Sequence, residues 1–348
     1  MKKRNANRER LPRVAVVGLF QGGKSLMINA ALGGVVVPVG KFGLRTTPCQ
    51  IRCKYGEINR AVVYQEGIDP RGFSIRALSD YVAALDHSEH LTSVDFFHSH
   101  PILRRIELSD TPGIDFSEGD NEIASAAANE ADAVVLVAQQ SLPAGSSSFE
   151  KLSECLRGKP WGLLLNCGRA GSHLENSDSP ASTEVEENIL RQLRESGTHE
   201  PVFSQRMSAH TLAYYASEQF EPTKTVHLSE EYQQHLESDE QSIRMWRENL
   251  LLLGNYWLNE RLERTRQEVI AALCEQGWTD PKVKFDSESN RFECRVGFDG
   301  IRYKVCGSFR IESMARYDRL VLDDFECRED SVKEWLQASP EWHTWKFK

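Results

Sequence analysis

The sequence predicts an α/β fold with a mixed sheet covered by helices on both faces, followed by a helical segment and a small α+β module. Segments with strand and helix signals alternate up to about residue 215, and the strand signals are short runs rich in Val, Ile and Leu. After that point the apolar residues take a helical spacing and then a strand-like alternation. The predicted domains are 12–225, 226–277 and 278–348.

Apolar runs and the gaps between them define the elements of the first domain. Strands are predicted at 13–17, 49–55, 60–66, 103–109, 133–139, 161–166 and 201–204. Helices are predicted at 24–32, 74–86, 120–130, 146–157 and 182–196. The stretch 168–183 is rich in Ser, Asn, Asp and Gly, so we expect a surface loop there, of the kind that often faces a ligand.

The rest of the chain divides into a helical part and a strand-rich part. From 229 to 276, apolar residues recur every three or four positions. This spacing predicts a helical hairpin packed on the first domain, or a helix used for partner binding or self-assembly. Strands are then predicted at 291–296, 301–305 and 319–325, with a closing helix near 330–338. We expect this last module, of otherwise unknown role, to recruit a protein partner.

Length, charge and cysteine use limit the classes of function. The 348 residues are 40% hydrophobic and 27% charged, and the formal net charge of −9 disfavours non-specific binding to nucleic acid. The eight cysteines form no C-x-x-C pair, as expected for reduced thiols inside the cell. No run of about 18 apolar residues occurs, and the start of the chain lacks the apolar segment of a signal peptide. We therefore expect a cytoplasmic protein and leave peripheral membrane association open.

The most informative motif is G-x-x-x-x-G-K-S at Gly18–Ser25, which lies between an apolar strand and a predicted helix. Glycines let main-chain N–H groups turn towards phosphate oxygens, and the helix that follows directs its positive dipole end at the same anion. Lys24 is expected to reach the terminal phosphates, and Ser25 is expected to bind magnesium. The motif therefore predicts a P-loop that binds a nucleoside triphosphate.

Two further motifs follow in the order that a triphosphatase requires. Asp110-Thr111-Pro112-Gly113 ends a predicted strand, where the Asp110 carboxylate can hold magnesium through water and the Gly113 N–H can meet the γ-phosphate. Arg45-Thr46-Thr47-Pro48 lies between this motif and the P-loop. Thr46 is the first choice, and Thr47 the second, for the residue whose hydroxyl binds magnesium and whose carbonyl holds the attacking water.

These motifs resemble the amino-terminal G domain of the dynamin superfamily, particularly that of its bacterial members. The parts that carry the resemblance are Gly18 to Gly34, the Val37-Pro38-Val39-Gly40 step and Thr46-Thr47-Pro48. The similarity runs from about residue 12 to 215 and is good in the first 60 residues and around Asp110. It implies GTP hydrolysis with Mg²⁺, a homodimer formed through the G domain and, in many members, membrane remodelling.

The base-reading motif departs from the family pattern, which is Asn or Thr, then Lys, any residue and Asp. Here the positions are Asn166-Cys167-Gly168-Arg169, so the Asp that would hold the guanine edge is missing. Ser208 and Ala209 follow a predicted strand at the place where a backbone N–H of a G domain contacts the base oxygen. GTP is expected from the resemblance, and ATP stays an alternative.

The motifs and the resemblance together give three sets of candidate residues. Those expected to act in catalysis are Gln21, which would orient water, Arg45, which would compensate charge, Lys24 and Thr46. The expected magnesium ligands are Ser25, Thr46 and Asp110. The expected nucleotide-binding residues are Gly18, Gln21, Gly22, Gly23, Lys24, Ser25, Leu26, Thr47, Gly113, Asn166, Ser208 and Ala209. The alternative to an enzyme is a non-hydrolysing interaction protein that the nucleotide stabilises.

Overall fold

The computed structural model forms two compact units, one of Pro12–Gly254 and the other of Met1–Leu11 with Asn255–Lys348. Each unit has its own sheet and its own apolar core. The structure describes residues 10–33, 37, 49–74, 91–115, 117–139, 146–167, 180–208, 230–275, 277–287, 289–298, 301–313, 318–327 and 344–347.

The first unit alternates strands and helices along the chain. Its strands are β1 (Arg13–Val17), β2 (Gln50–Tyr55), β3 (Arg60–Gln65), β4 (Ile68–Phe73), β5 (Leu91–His98), β6 (Glu107–Asp110), β7 (Ala133–Ala138), β8 (Trp161–Cys167) and β9 (Phe203–Ser208). Its helices are α1 (Lys24–Leu32), α2 (Glu118–Glu130), α3 (Ser147–Leu156) and α4 (Pro180–Glu195), with a 3₁₀ turn at Pro101–Arg104. A further helix, α5 (Glu230–Glu275), begins in this unit and ends in the other.

Within the described residues, the nine strands of the first unit form one sheet in the order β4-β3-β5-β2-β6-β1-β7-β8-β9. The strands β6, β1, β7, β8 and β9 are parallel, whereas β2 runs antiparallel to β6 and parallel to β5. The five parallel strands therefore end at the same edge of the sheet. In open α/β sheets this carboxyl edge is where ligands bind.

Strand β1 is buried on both faces, which explains its unbroken apolar sequence. Val14 and Val16 lie in one core cluster, together with Met27 of α1. Ala15 and Val17 lie in a second cluster, which also contains residues of α2, α3 and α4. Helices therefore cover both faces of a mixed sheet, and the predicted fold class is confirmed.

The first part of α5 belongs to the core of the first unit. Trp246 and Leu250 are fully buried in the cluster that contains α1. Trp246 Nε1 donates a hydrogen bond of 2.9 Å to the Met27 carbonyl, and Arg247 Nε donates one of 2.7 Å to the Ala31 carbonyl. Because the last carbonyls of a helix lack donors within it, Arg247 caps α1, and its charge complements the negative end of the helix dipole.

The second unit contains the last part of α5 and, among the described residues, a five-stranded antiparallel sheet. Its strands are β10 (Thr279–Asp286), β11 (Arg291–Phe298), β12 (Ile301–Ser313), β13 (Asp318–Cys327) and β14 (Thr344–Phe347), paired in chain order. One face of the sheet is apolar and packs with α5 in a single cluster. The buried side chains that α5 contributes to this cluster are Trp257, Leu262, Val269 and Leu273.

The prediction of a helical hairpin within 229–276 is wrong, because α5 is one continuous helix. Gly254, in its middle, does not break the helix. A Cβ atom at this position would lie 2.8 Å from Cγ2 of Ile106. The glycine therefore permits close packing of α5 against Ile106 and does not form a turn.

Several predicted elements differ from the structure in length or position. The strand expected at 103–109 begins only at Glu107, because the 3₁₀ turn precedes it. Strands β4, β5, β10 and β14 were absent from the sequence prediction. The helices predicted at 74–86 and 330–338 fall almost entirely outside the described residues, as does the part of the loop 168–183 that precedes Pro180.

The burial pattern of α5 gives a paired test of its packing. Leu250 is fully buried, whereas Leu252, two residues further on, is 48% exposed. Leu250→Ala is expected to lower the free energy of unfolding of the first unit by about 2–5 kcal/mol, because it removes apolar contacts and leaves a cavity. Leu252→Ala is expected to cost less than about 1 kcal/mol. Urea unfolding followed by tryptophan fluorescence measures both, and equal losses in the two variants would contradict the packing described.

Candidate nucleotide-binding site

The candidate site lies where β1, β6 and β8 end at the carboxyl edge of the first sheet. Residues 18–23 connect β1 to α1, which begins at Lys24. Asp110 is the last residue of β6, and Asn166 is the penultimate residue of β8. The parallel register of β1 and β6 pairs Val16 with Asp110. The P-loop motif and the Asp110 motif, 85 residues apart in the chain, are therefore neighbours.

Gly23 is the residue at which the loop turns into α1. It has φ 91° and ψ 15°, a left-handed conformation that residues with a Cβ atom rarely adopt. A Cβ atom on Gly23 would also lie 2.3 Å from Nδ2 of Asn166. The same Nδ2 group donates a hydrogen bond of 3.2 Å to the Gly22 carbonyl, and Asn166 is only 7% exposed. Asn166 therefore supports the loop from below, and only glycine fits at position 23.

Main-chain contacts join the loop to the segment that follows β6. Leu19 and Ile114 form a parallel bridge, in which Phe20 N donates to the Ile114 carbonyl at 3.0 Å and Ile114 N donates to the Gly18 carbonyl at 3.1 Å. Gly113 approaches the loop so closely that a Cβ atom there would lie 2.4 Å from Cα of Phe20. The segment that carries Gly113 is thus held directly beside the glycine loop.

Lys24 is buried under the loop, with 6% of its surface exposed. Its Nζ donates hydrogen bonds to the carbonyls of Leu19, at 2.9 Å, and Gly18, at 3.3 Å. Burial lowers the pKa of Lys24 to about 8, and the carboxylates of Asp110 and Asp120 oppose this shift. The ammonium group is therefore still charged at neutral pH, and burial makes that charge costly unless an anion is bound near it.

Ser25 and Asp110 contact each other beside Lys24. The Ser25 hydroxyl donates a hydrogen bond of 2.6 Å to Oδ2 of Asp110. Burial raises the pKa of Asp110 to about 6, although the bond from Ser25 and the charge of Lys24 act in the opposite direction. The second carboxylate oxygen, Oδ1, is buried and has no hydrogen-bond partner among the described residues. A buried polar atom without a partner is rare in folded proteins, so Oδ1 is available to accept a hydrogen bond or to bind a cation.

Ser25 and Asp110 fit a magnesium ion. Mg²⁺ prefers hard oxygen ligands and usually keeps several waters, so that one or two protein oxygens suffice to bind it beside a phosphate. A hydroxyl and a buried, unsatisfied carboxylate oxygen next to the loop match this requirement.

The other predicted site residues have the following positions. Gln21 lies in the loop with φ 59°, and Leu26 lies in the first turn of α1, packed against the core. Ser208 is the last residue of β9 and pairs with Cys167 of β8. The residues Arg45, Thr46, Thr47 and Ala209 lie outside the described part of the chain.

Two buried polar residues that support the site were not predicted. Asn29 of α1 holds the chain after the helix, because its Nδ2 donates to the Val37 carbonyl and its Oδ1 accepts from Val37 N, both at 2.8 Å. Asp120 is 1% exposed in the first turn of α2, near enough to act on the charge of Lys24. Its N–H donates to the Ser117 side chain at 3.1 Å, and the Ser-x-x-Asp spacing of such a cap was visible in the sequence.

This arrangement defines the class of protein. A glycine loop between a parallel strand and a helix, followed by a buried lysine and a serine that contacts a strand-end aspartate, is the fold of the P-loop nucleoside triphosphatases. Within that class, residues 14–160 match the sequence profile of the dynamin family. Residues 14–160 are therefore similar to a dynamin-type G domain.

Individual relatives match only parts of the chain. Dynamin-like protein 2 of Campylobacter jejuni is 30% identical over 107 residues, which are 31% of this chain and 17% of that protein. Two solved structures of an oligomerised bacterial dynamin pair, described as a mechanism for long-range sensing and tethering of membranes, are 16% identical. They match 78% of this chain and 53% and 44% of their own, with TM-scores of 0.45 and 0.41. The chain thus spans 17% of the length of the curated relative and 53% and 44% of the lengths of the two solved chains.

Of the helices that the structure describes, none combines the length and the apolar character needed to cross a bilayer.

The left-handed conformation of Gly23 and its contact with Asn166 can be tested separately. Gly23→Ala is expected to weaken nucleotide binding by at least about tenfold, because the new methyl group displaces Asn166 and the loop. The matched control is Gly197→Ala at the end of α4, where φ is 81° and the added methyl group meets no atom within 4 Å. This control is expected to lose only about 1–3 kcal/mol of stability from backbone strain. Titration with a fluorescent nucleotide and thermal unfolding measure both variants; equal binding in the two would contradict the role given to Asn166.

The raised pKa of Asp110 predicts a pH-dependent gain in stability for Asp110→Asn. The ordinary pKa is 3.8 and the folded value is about 6, so the folded wild-type protein binds the proton more tightly and loses stability as pH rises from about 4 to 6. Above pH 6 the buried charge costs up to about 3 kcal/mol, which the neutral amide avoids. Without added metal, the variant is expected to be more stable than wild type at pH 8, and the difference should shrink towards pH 5.

Thermal or urea unfolding between pH 5 and 8 in the presence of a chelator measures this difference. Asp69→Asn, on the exposed strand β4, is the control and is expected to show no such trend. A variant that is less stable than wild type at pH 8 would show that Asp110 does not bear the burial cost assigned to it.

Proposed function

We propose that this protein binds GTP together with Mg²⁺ and hydrolyses it, acting as a nucleotide-dependent switch or self-assembling module. One observation carries the proposal: the buried ammonium group of Lys24 lies beneath a glycine loop and beside the Ser25–Asp110 pair. The match of residues 14–160 to the dynamin family supports guanine nucleotide as the ligand.

The phosphate groups would be bound by the loop and by α1. Main-chain N–H groups at the start of α1 and the positive end of its dipole attract an anion, and Lys24 adds a full charge at the same place. The phosphates would also relieve the desolvation cost of Lys24, because a buried cation is stabilised by a nearby anion. This electrostatic gain is the main source of affinity in the proposal.

Magnesium would be held by Ser25 and Asp110, with Thr46 as a third ligand. Bound there, Mg²⁺ would neutralise charge on the phosphate oxygens. To bind it, Asp110 has to be ionised, and its pKa of about 6 makes the ionised form dominant at neutral pH. Binding would also replace the contact that Ser25 now makes with Asp110.

Hydrolysis is proposed to follow in-line attack of a water molecule on the γ-phosphate. The Thr46 carbonyl would hold that water, with Thr47 as the second choice, and Gln21 would orient it through its amide. The Gly113 N–H would contact the γ-phosphate, while Lys24 and Arg45 would compensate the charge that develops during the transfer. These roles come from the order of the motifs in the sequence.

Base recognition is proposed to involve Asn166 and the segment at Ser208–Ala209. The Asn166 amide already donates to the Gly22 carbonyl, so it links the base side of the site to the phosphate loop. Because Arg169 stands where the family carries Asp, the usual pair of hydrogen bonds to guanine is missing, and discrimination against ATP is expected to be weaker than in relatives that have the Asp.

Self-association belongs to the same proposal. The family match supports a homodimer through the G domain, and the sequence suggests a protein partner for the module 278–348. A cytoplasmic location with peripheral membrane contact is the setting that we propose for this activity.

The central experiment is a titration of wild type and Lys24→Ala with GTP and with ATP in the presence of Mg²⁺. Wild type is expected to bind GTP more tightly than ATP. Lys24→Ala is expected to lose about a hundredfold or more in GTP affinity, because charge-assisted contacts to two phosphates disappear. Lys151→Ala in α3 is the control for removal of a lysine elsewhere and is expected to bind as wild type does. If Lys24→Ala binds GTP normally, the loop is not the phosphate site.

Single-turnover phosphate release by the same proteins at high concentration then tests hydrolysis. Release by wild type and Lys151→Ala, but not by Lys24→Ala, supports the enzyme. Tight binding without release would overturn the hydrolytic part of the proposal and would favour a non-hydrolysing, nucleotide-stabilised interaction protein. Tighter binding of ATP than of GTP would overturn the guanine assignment.

A further inference from the structure

The sheet of the second unit has a row of cations on the face opposite its apolar core. In the antiparallel register, Lys282 of β10 pairs with Arg295 of β11, and Arg295 pairs with Lys304 of β12. Val296, the next residue along β11, lies on the opposite face and is buried in the apolar core. Like charges directly opposite each other destabilise a sheet. This row therefore costs stability to the extent that nearby carboxylates leave its charges uncompensated.

Nearby carboxylates compensate these cations only in part. Glu293 accepts from Arg295 Nε at 2.7 Å and also pairs with Lys304 Nζ at 2.8 Å, so that one carboxylate serves two cations. Asp280 is 3.8 Å from Lys282 Nζ, and both of these side chains are about two-thirds exposed, which makes the pair weak.

Arg302 adds a fourth cation to this cluster. Among the residues that the structure describes, no carboxylate lies within ion-pair distance of its guanidinium group. The cluster, defined as Lys282, Arg295, Arg302 and Lys304, thus holds two more positive charges than its two carboxylates, Glu293 and Asp280, balance.

The cation cluster lines a cavity at a distortion of the sheet. Strand β10 has a register shift between Thr279 and Lys282, and Asp280 within it has φ 47°, which is unusual for a residue with a Cβ atom. Gly297 allows the strands to approach at this point, since a Cβ atom there would lie 2.5 Å from Oγ1 of Thr279. The cavity has a volume of about 340 Å³, and Val296 and Tyr303 also line it. Its size lies at the lower end of the range for small-molecule sites.

We propose that the cation cluster and its cavity form a second ligand site, which binds a small molecule bearing two or more phosphate groups. Two lysines and two arginines offer point charges and planar, forked donors, the combination that recognises phosphate oxygens. An anion placed between Arg295, Lys304 and Lys282 would replace the repulsion along the row by attraction. The like-charge pairing is then a feature that a ligand compensates.

The charge of the whole chain favours a small ligand over a long polyanion. The formal net charge is −9, so an extended acidic polymer would meet repulsion beyond the cluster. A small ligand inside the cavity interacts mainly with charges within about one Debye length, roughly 8 Å at physiological salt. The site is therefore matched to a compact polyphosphate group, either free in solution or on a lipid headgroup.

The test is calorimetric titration of inorganic tripolyphosphate into Lys24→Ala protein, in which the P-loop lysine no longer contributes. Saturable binding is expected, and it should weaken with added salt. Arg295→Gln and Lys304→Gln, each added to Lys24→Ala, are expected to weaken binding by about tenfold or more, because each removes a charge-assisted contact. Lys284→Gln is the matched control: this exposed lysine lies two residues from Lys282 but outside the cavity, and a change below about threefold is expected.

Absence of saturable binding, or an equal loss in Lys284→Gln, would overturn the proposal. Competition by vesicles that contain phosphatidylinositol bisphosphate, but not by vesicles of phosphatidylcholine alone, would identify a lipid headgroup as the source of the phosphate groups, and lack of competition would identify a soluble ligand. Failure of the P-loop assignment would appear differently, as normal GTP binding by Lys24→Ala in the absence of tripolyphosphate. Circular dichroism of each variant excludes loss of folding as the cause of weaker binding.

Discussion

The parallel pairing of β1 with β6 is the contact on which the candidate site depends. Their register pairs Val16 with Asp110, and the Thr111 hydroxyl donates 2.8 Å to the Val16 carbonyl from a fully buried position. The bridge between Leu19 and Ile114 continues this pairing beyond the strands. Two motifs distant in sequence thus become one surface, because main-chain hydrogen bonds fix both loops at the same edge of the sheet.

The buried charges make this surface suited to charged ligands. Burial lowers the pKa of Lys24 and raises that of Asp110, so that the protein environment alone disfavours the charged form of each group. Their mutual attraction reduces this cost without removing it, as the direction of both shifts indicates. A triphosphate beside the ammonium group and a cation beside the carboxylate would each restore favourable interactions. The desolvation cost of the two buried charges would thereby be offset when the ligands bind, which would favour binding.

The sequence predicted the elements that are buried on both faces and missed those that are not. Unbroken apolar runs identified β1, β7 and β8, and the Gly-Lys-Ser sequence identified the start of α1. Strand β4 was missed because nearly all of its residues are exposed and it contains Pro70. Strand β5 contains the buried Asp95, whose partners Arg52 and Lys54 come from β2, so its burial depends on a tertiary contact that no local pattern shows. The support of the loop by Asn166 was hidden for the same reason.

Helix α1 shows how the fold prepares the site beyond the motif itself. Its first turn faces the phosphate loop, and its last carbonyls accept hydrogen bonds from Arg247, a cation on α5. Both ends of the helix dipole are thus complemented, the negative end by protein and the positive end by the proposed phosphate. Because Trp246 also bonds to the Met27 carbonyl, the first part of α5 is structurally part of the nucleotide-binding unit. A fragment intended to bind nucleotide therefore has to extend to Gly254, where the first unit ends.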